Sequence, residues 1–164
     1  MNRLRKLFFV IIVVIAVVVQ TSVLPVYLEN FFRPDLLLII MVFLALRGSF
    51  EAGIPLSWSL GLLKDVFSGL YLGLNAFTFL VIFLIIKSIA ERLYAESGFL
   101  FVLTVVVATL ICVTGNFLLL LMFTKTQGIA YTMGLNIVPH LLINAFAASL
   151  IALLPNFFTV EENP

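Results

Sequence analysis

Six apolar stretches follow one another along this chain, at about 7–28, 34–47, 50–66, 74–90, 97–123 and 133–155. A helix needs about 20 apolar residues to cross a bilayer, and the connections between these stretches are too short to form a domain of their own. The chain therefore reads as all-α: a single transmembrane domain, 1–164, of a polytopic integral membrane protein with six transmembrane helices. Composition points the same way. Of the 164 residues 63% are apolar and 10% charged, against about 25% charged in an ordinary soluble domain, too few to cover a water-facing surface. A net charge of +1 without a basic, aromatic-interleaved patch excludes a nucleic-acid partner. The single cysteine, Cys112, excludes an internal disulfide and a cysteine-rich metal site.

The N-terminus imitates a secretory signal, with Arg3, Arg5 and Lys6 ahead of the apolar run Leu7 to Val19. The run continues past Gln20-Thr21-Ser22 to Leu28 with no small-x-small cleavage site, so a retained first span is expected. The second stretch is short: Leu36 to Leu46 is eleven uninterrupted apolar residues, about 16 Å at 1.5 Å per residue, half of a roughly 30 Å hydrocarbon core. Segments 34–66 are either two short full spans or a re-entrant hairpin with Arg47 to Gly53 at its tip. Burying Arg47 and Glu51 at mid-membrane costs a few kcal/mol per charge, which favours two short spans. Loop charges then set the orientation. With the N-terminus inside, Arg3, Arg5, Lys6, Arg47, Lys87 and Arg92 are cytoplasmic and Arg33, Lys64 and Lys125 are outside, six against three. The expectation is a multi-pass membrane protein with both termini in the cytoplasm.

Two segments carry more than hydropathy. Arg33-Pro34-Asp35-Leu36-Leu37-Leu38 is a helix start at the outer surface, with Pro34 suited to a first turn and Asp35 to the positive end of the dipole. In Gly61 to Phe77, the residues Gly61, Asp65 and Ser68 share one helical face. Gly69 can end the third helix, Gly73 can turn the chain, and Asn75 is a candidate N-cap for the fourth. Gly69-x-x-x-Gly73 is alternatively a close-packing face. Asp65 has no local explanation, because a negative charge near a helix C-terminus opposes the dipole. Either Asp65 is solvated at the interface or Arg33, on the same side, is its partner.

The spacing of Arg-Pro-Asp-Leu-Leu-Leu at 33–38 and of Gly-Leu-Leu-Lys-Asp-Val-Phe-Ser-Gly-Leu-Tyr-Leu-Gly-Leu-Asn-Ala-Phe at 61–77 resembles the bacterial rod-shape-determining membrane protein family MreD. The family pattern has an apolar residue before the aspartate; here it is Lys64, which can snorkel to the interface. The resemblance implies a non-enzymatic scaffold of the cell-elongation machinery for peptidoglycan. The implied partners are MreC first, with RodA, a class B penicillin-binding transpeptidase and MreB beside it. It also implies a fold similar to the substrate-binding membrane subunits of energy-coupling-factor transporters, which supplies the rival function: a small-molecule-binding subunit of a vitamin-type transporter.

That rival would use a pocket between the fifth and sixth spans. The fifth carries Thr109, Cys112 and Asn116, and the sixth Asn136, His140 and Asn144, each set a polar stripe on an apolar helix. Facing each other, the stripes either hydrogen-bond the two helices together or line a pocket. Catalysis is not expected. His140 has no acidic residue within helical reach, Cys112 has no adjacent base, and one histidine with one cysteine does not make a zinc site. No nucleotide loop is present, and no cofactor or metal is implied. Trp58, between Ser57 and Ser59, is either packed on a neighbouring helix or an anchor for a partner. The preferred partner surface is the second and third spans with the turn 64–75.

Overall fold

The structure, a computed structural model, describes residues 3–28, 32–68, 72–90, 97–123 and 128–153. Regular structure among these residues is helical throughout. α1 (Arg3–Val18), a π-helical turn (Val19–Val23) and α2 (Leu24–Tyr27) form one rod; α3 (Leu36–Arg47), α4 (Phe50–Ser68), α5 (Leu74–Ala90), α6 (Gly98–Phe123) and α7 (Gly128–Ala152) follow. Each of the six apolar stretches holds one rod. The last begins earlier than its apolar run, at Gly128. Two rods, Leu7–Tyr27 with 21 residues and Gly98–Leu119 with 22, are long and apolar enough to cross a membrane by themselves.

α3 explains why its sequence is apolar without interruption. A helix that is hydrophobic all round is placed either in lipid or in the protein core; α3 takes the core, with Leu37, Leu38, Ile39, Met41, Val42 and Ala45 all buried. They meet Phe79, Ile82 and Phe83 of α5 and Phe101, Val105 and Ala108 of α6 in one continuous core. Twelve residues give α3 a length of about 18 Å, so it is a short central post rather than an outer wall.

α4 packs along α5 through glycine. A Cβ on Gly61 would lie 2.4 Å from Ala76 Cα and 2.6 Å from the Asn75 carbonyl oxygen, so only a residue without a side chain lets the two backbones approach this closely. At Gly53 the same position is filled by the Phe83 ring, with Cζ 2.1 Å from where a Cβ would stand. Of the two readings of Gly73, chain turn and close-packing face, the geometry at this residue fits the turn. A Cβ there would meet nothing within 4 Å, and its φ of +99° marks it as the turn residue that only glycine adopts easily. Gly69 lies outside the described residues.

The α3–α4 hairpin runs the length of the bundle's central helices. At its open end Asp35 of α3's start meets Lys64 near α4's end. At its closed end Lys87 Nζ, in the last turn of α5, donates to the Gly48 carbonyl at 2.7 Å. Arg47 and Lys87 thus share one end of the bundle, and Arg33 and Lys64 the other.

The first rod stands at the edge. Leu7, Phe8, Val10, Val14, Val18 and Val26 are exposed, and it is tied to the rest chiefly near its π-helical turn. α7 likewise shows an apolar outer stripe of Val138, Leu142, Phe146 and Leu150 at helical spacing. Trp58 faces outward, 41% exposed, so the reading in which it is buried against a neighbouring helix is set aside.

Candidate functional site

Many polar side chains of this apolar chain gather at the Asp35 end, where the starts of α3 and α5 and the first rod's last turns meet the C-terminal end of α4. The cluster has two centres, each a carboxylate.

The first is Asp65. Its side chain is 2% exposed and accepts four hydrogen bonds, all from the start of α5. Oδ1 accepts from the Asn75 backbone N–H at 2.9 Å and from Asn75 Nδ2 at 2.8 Å. Oδ2 accepts from the N–H of Gly73 at 2.8 Å and of Ala76 at 3.1 Å. A helix start leaves its first N–H groups without partners in its own chain, and Asp65 supplies them from the neighbouring helix, with its charge at the positive end of α5's dipole. Two oxygens offer about four acceptor sites, and all four are used. This corrects two expectations. Asn75 is not the N-cap: the ladder of α5 begins from the Gly73 carbonyl, which accepts from Phe77 N–H at 2.9 Å, and Asn75 sits in the first turn. Nor does Arg33 pair with Asp65: both carboxylate oxygens are taken by donors at the start of α5, and Arg33 Nε donates to the Leu28 carbonyl at 3.1 Å. The shared face of Gly61 and Asp65 turns out to be the face against α5. Ser68 remains exposed and donates to Asp65's own carbonyl.

From Asp65 a chain of amides crosses to α6. Asn116 Nδ2 donates to Asn75 Oδ1 at 2.9 Å, and Thr78 Oγ1 lies 2.9 Å from Asn116 Oδ1. Asn116 thus bonds across to α5, a contact that the facing-stripe expectation does not include. Its stripe neighbour Thr109 does face α7, accepting from Asn144 Nδ2 at 3.1 Å.

The second centre is Asp35. It caps α3, its Oδ1 accepting from Leu38 N–H at 3.2 Å. The helix begins after it, so Pro34 precedes the cap instead of occupying the first turn. Asp35 Oδ2 takes the Lys64 ammonium, and Gln20 Nε2 lies 3.5 Å from Oδ1. Asp35's own N–H donates to Asn144 Oδ1 at 2.7 Å, and the Leu37 N–H donates to Gln20 Oε1 at 3.3 Å. One capping residue thus joins the first rod, α3, α4 and α7. Lys64 does not snorkel outward. It is part-buried on Asp35, with its ammonium 5.1 Å from the Phe79 ring centre, within cation–π range.

Sequence reading passes over Gln20 as an interruption of the first apolar run and does not single out Thr78. A lone amide or hydroxyl at mid-helix in such a chain has to find an internal partner, and that was the available signal.

Two cavities flank the Asp35–Lys64 pair. The smaller, about 220 Å³, is lined by Thr109, Cys112, Asn116, His140 and Asn144 together with the pair. The larger, about 520 Å³, opens between the first rod, the α3 entry and the end of α4. His140 lines both. The side chain of Asn136 lies outside the described residues. Among the described residues no group of three or more His, Cys, Asp or Glu side chains is placed to hold a metal ion.

The ion pair is testable by itself. Lys64→Met strands a part-buried carboxylate and is expected to lower stability by about 1–3 kcal/mol. Asp35→Asn keeps the cap, since asparagine is an equally good N-cap, and added to Lys64→Met it should recover part of that loss. Unfolding midpoints of the purified protein in detergent measure both, and strictly additive losses would remove the pair as a coupled unit.

The family model described as MreD, rod shape-determining protein MreD, matches residues 1–160 of the 164-residue chain. No curated protein and no solved structure matches.

Proposed function

We propose that this chain, which belongs to the MreD family of rod shape-determining proteins, serves that role as a non-enzymatic membrane scaffold. In this reading it crosses the bacterial cytoplasmic membrane six times with both termini inside. It binds MreC and through it helps to position the peptidoglycan synthases, RodA and a class B transpeptidase, with MreB on the cytoplasmic side. The observation that carries the non-enzymatic part is the state of the polar groups. Asp65 has every acceptor site filled from within the fold, and Asp35, Asn75, Thr109, Asn116 and Asn144 bond across helices. A general acid, base or nucleophile needs a free, aimed functional group; these hold helices together.

The depth of the α3–α4 hairpin supports two short crossings over a re-entrant loop, since its closed end reaches the last turn of α5. The grouping of Arg47 with Lys87, and of Arg33 with Lys64, at opposite ends agrees with the sidedness derived from loop charge. The vitamin-capture alternative finds little room. The cavity bordered by α6 and α7, about 220 Å³, is smaller than the roughly 300–1,000 Å³ of small-molecule sites, and Thr109, Asn116 and Asn144 around it already bond to other helices.

The partner face is best placed on α4 and the turn beyond it. Trp58, Val66, Phe67 and Leu72 are all exposed there, and an outward tryptophan among smaller apolar residues is the kind of anchor that dominates interfaces. Trp58→Ala is expected to reduce co-purification of MreC about tenfold or more at equal expression, the effect of an anchor that contributes about 2 kcal/mol. Leu142→Ala on the outer stripe of α7 should leave it unchanged. Equal recovery of MreC with both variants would move the interface off α4.

A further inference from the structure

The larger cavity has a composition that its neighbour lacks, and the scaffold role does not use it. Its polar wall includes Arg33, Lys64 and His140, and its apolar wall includes Val17, Leu37 and Phe67. Asp35 also borders it. That carboxylate, however, already accepts from Lys64 and from the Leu38 N–H, with Gln20 Nε2 at 3.5 Å, so it offers an incoming group little negative capacity. The cations are different. Lys64 has three N–H donors and the structure records one on Asp35. Arg33 has five, and the recorded bond uses Nε alone. With His140 neutral, the lining carries two positive charges against one negative. A volume of about 520 Å³ falls within the roughly 300–1,000 Å³ of small-molecule sites.

The geometry points to a binding site for a phosphate-bearing anion in this cleft, with Arg33 and Lys64 as its ligands and the apolar wall receiving whatever the phosphate is attached to. Guanidinium and ammonium donors make their strongest hydrogen bonds to phosphate oxygens, and basic pockets between transmembrane helices take lipid head groups by this chemistry. The π-helical turn contributes by placing Gln20 and Thr21 on the cleft. The cleft shares Phe67 with the partner face on α4, but Arg33 lies outside that face, so Arg33→Gln and Trp58→Ala test the two separately.

The test uses the full chain purified in detergent, with native mass spectrometry after equal exposure to phosphatidylglycerol and to phosphatidylcholine of the same acyl chains. A parallel thermal-unfolding titration uses inorganic phosphate. Phosphatidylglycerol is expected to be retained in preference to phosphatidylcholine. Arg33→Gln should weaken that retention about tenfold, the effect of one lost charge-assisted hydrogen bond, with unchanged helical circular dichroism. Lys64→Arg, which keeps both the charge and the Asp35 pair, should retain it. Binding of phosphatidylglycerol without a response to inorganic phosphate assigns the anion to a lipid head group; an equal stabilisation by inorganic phosphate assigns it to a soluble phosphate, and both support the site. Equal retention of the two lipids with no phosphate response overturns it, as does wild-type binding by a folded Arg33→Gln variant.

Discussion

Asp65→Ala is expected to lower the unfolding free energy by about 3–5 kcal/mol, the range for breaking a buried hydrogen-bonded charge network from one side. The substitution removes one acceptor and strands four donors: the N–H groups of Gly73, Asn75 and Ala76 and the Asn75 amide. Each buried donor left without a partner costs about 1–3 kcal/mol. These penalties overlap, because α5 can fray at its first turn and let some of the groups find water. Asp65→Asn should fall between, since its carbonyl oxygen replaces one carboxylate oxygen while its NH₂ group faces donors. Thermal unfolding in detergent gives the order, and an Asp65→Ala midpoint equal to that of the wild type would remove the capping role. The side chain is 2% exposed and cannot itself touch a partner. Loss of MreC from this variant should therefore track loss of folded protein and vanish when normalised to it.

The second large effect is expected at Gly61. Gly61→Ala already places a carbon 2.4 Å from Ala76 Cα and 2.6 Å from the Asn75 carbonyl oxygen, and Gly61→Val adds two more. Overpacking of this kind typically costs about 1–3 kcal/mol and sometimes more. Here it should exceed that for valine, because the obstacles are backbone atoms and α4 must move off α5 as a whole. That movement also pulls Asp65, one turn along the same face, away from the helix it caps. Gly53 provides the internal comparison. A Cβ there meets only the Phe83 ring, so Gly53→Ala should be rescued in large part by Phe83→Leu, whereas no side-chain substitution at position 76 should rescue Gly61→Ala. Unfolding midpoints of the four variants decide it. Equal rescue at both sites would show that the α4–α5 contact yields, and that Gly61 does not set the spacing.

The two sites differ in how far they could be read in advance. Asp35 as a helix start follows from Pro-Asp before an apolar run, because capping is a local matter of a short acceptor reaching its own next turn. Asp65 stood out for the opposite reason: nothing local satisfied it. Its partner was not legible, since the groups that satisfy it belong to another helix's backbone and carry no residue-type signature. Arg33 looked suitable by charge alone, and the unsatisfied N–H groups of α5 prevailed by number. Lys64 was misjudged in the same way. Next to an interface a lysine can extend to water, but the α3 hairpin brings Asp35 against it, and a charge partner within the fold outweighs solvation at the rim.

By itself the sequence determined the solvent, the helical class, the order of six rods and the residues that could not be idle, because burial in an apolar medium acts on each segment through its own composition. Only the tertiary structure decided which polar group answers which. Asn116 bonds to α5, Asp65 caps a neighbour's helix, Lys64 closes on Asp35, and a cleft remains beside that pair. The physical reason is range. Hydrophobicity and capping are decided within a few residues of chain, whereas a hydrogen bond between helices depends on the rotation and depth of both. Those are set by where glycines such as Gly61 let the backbones meet.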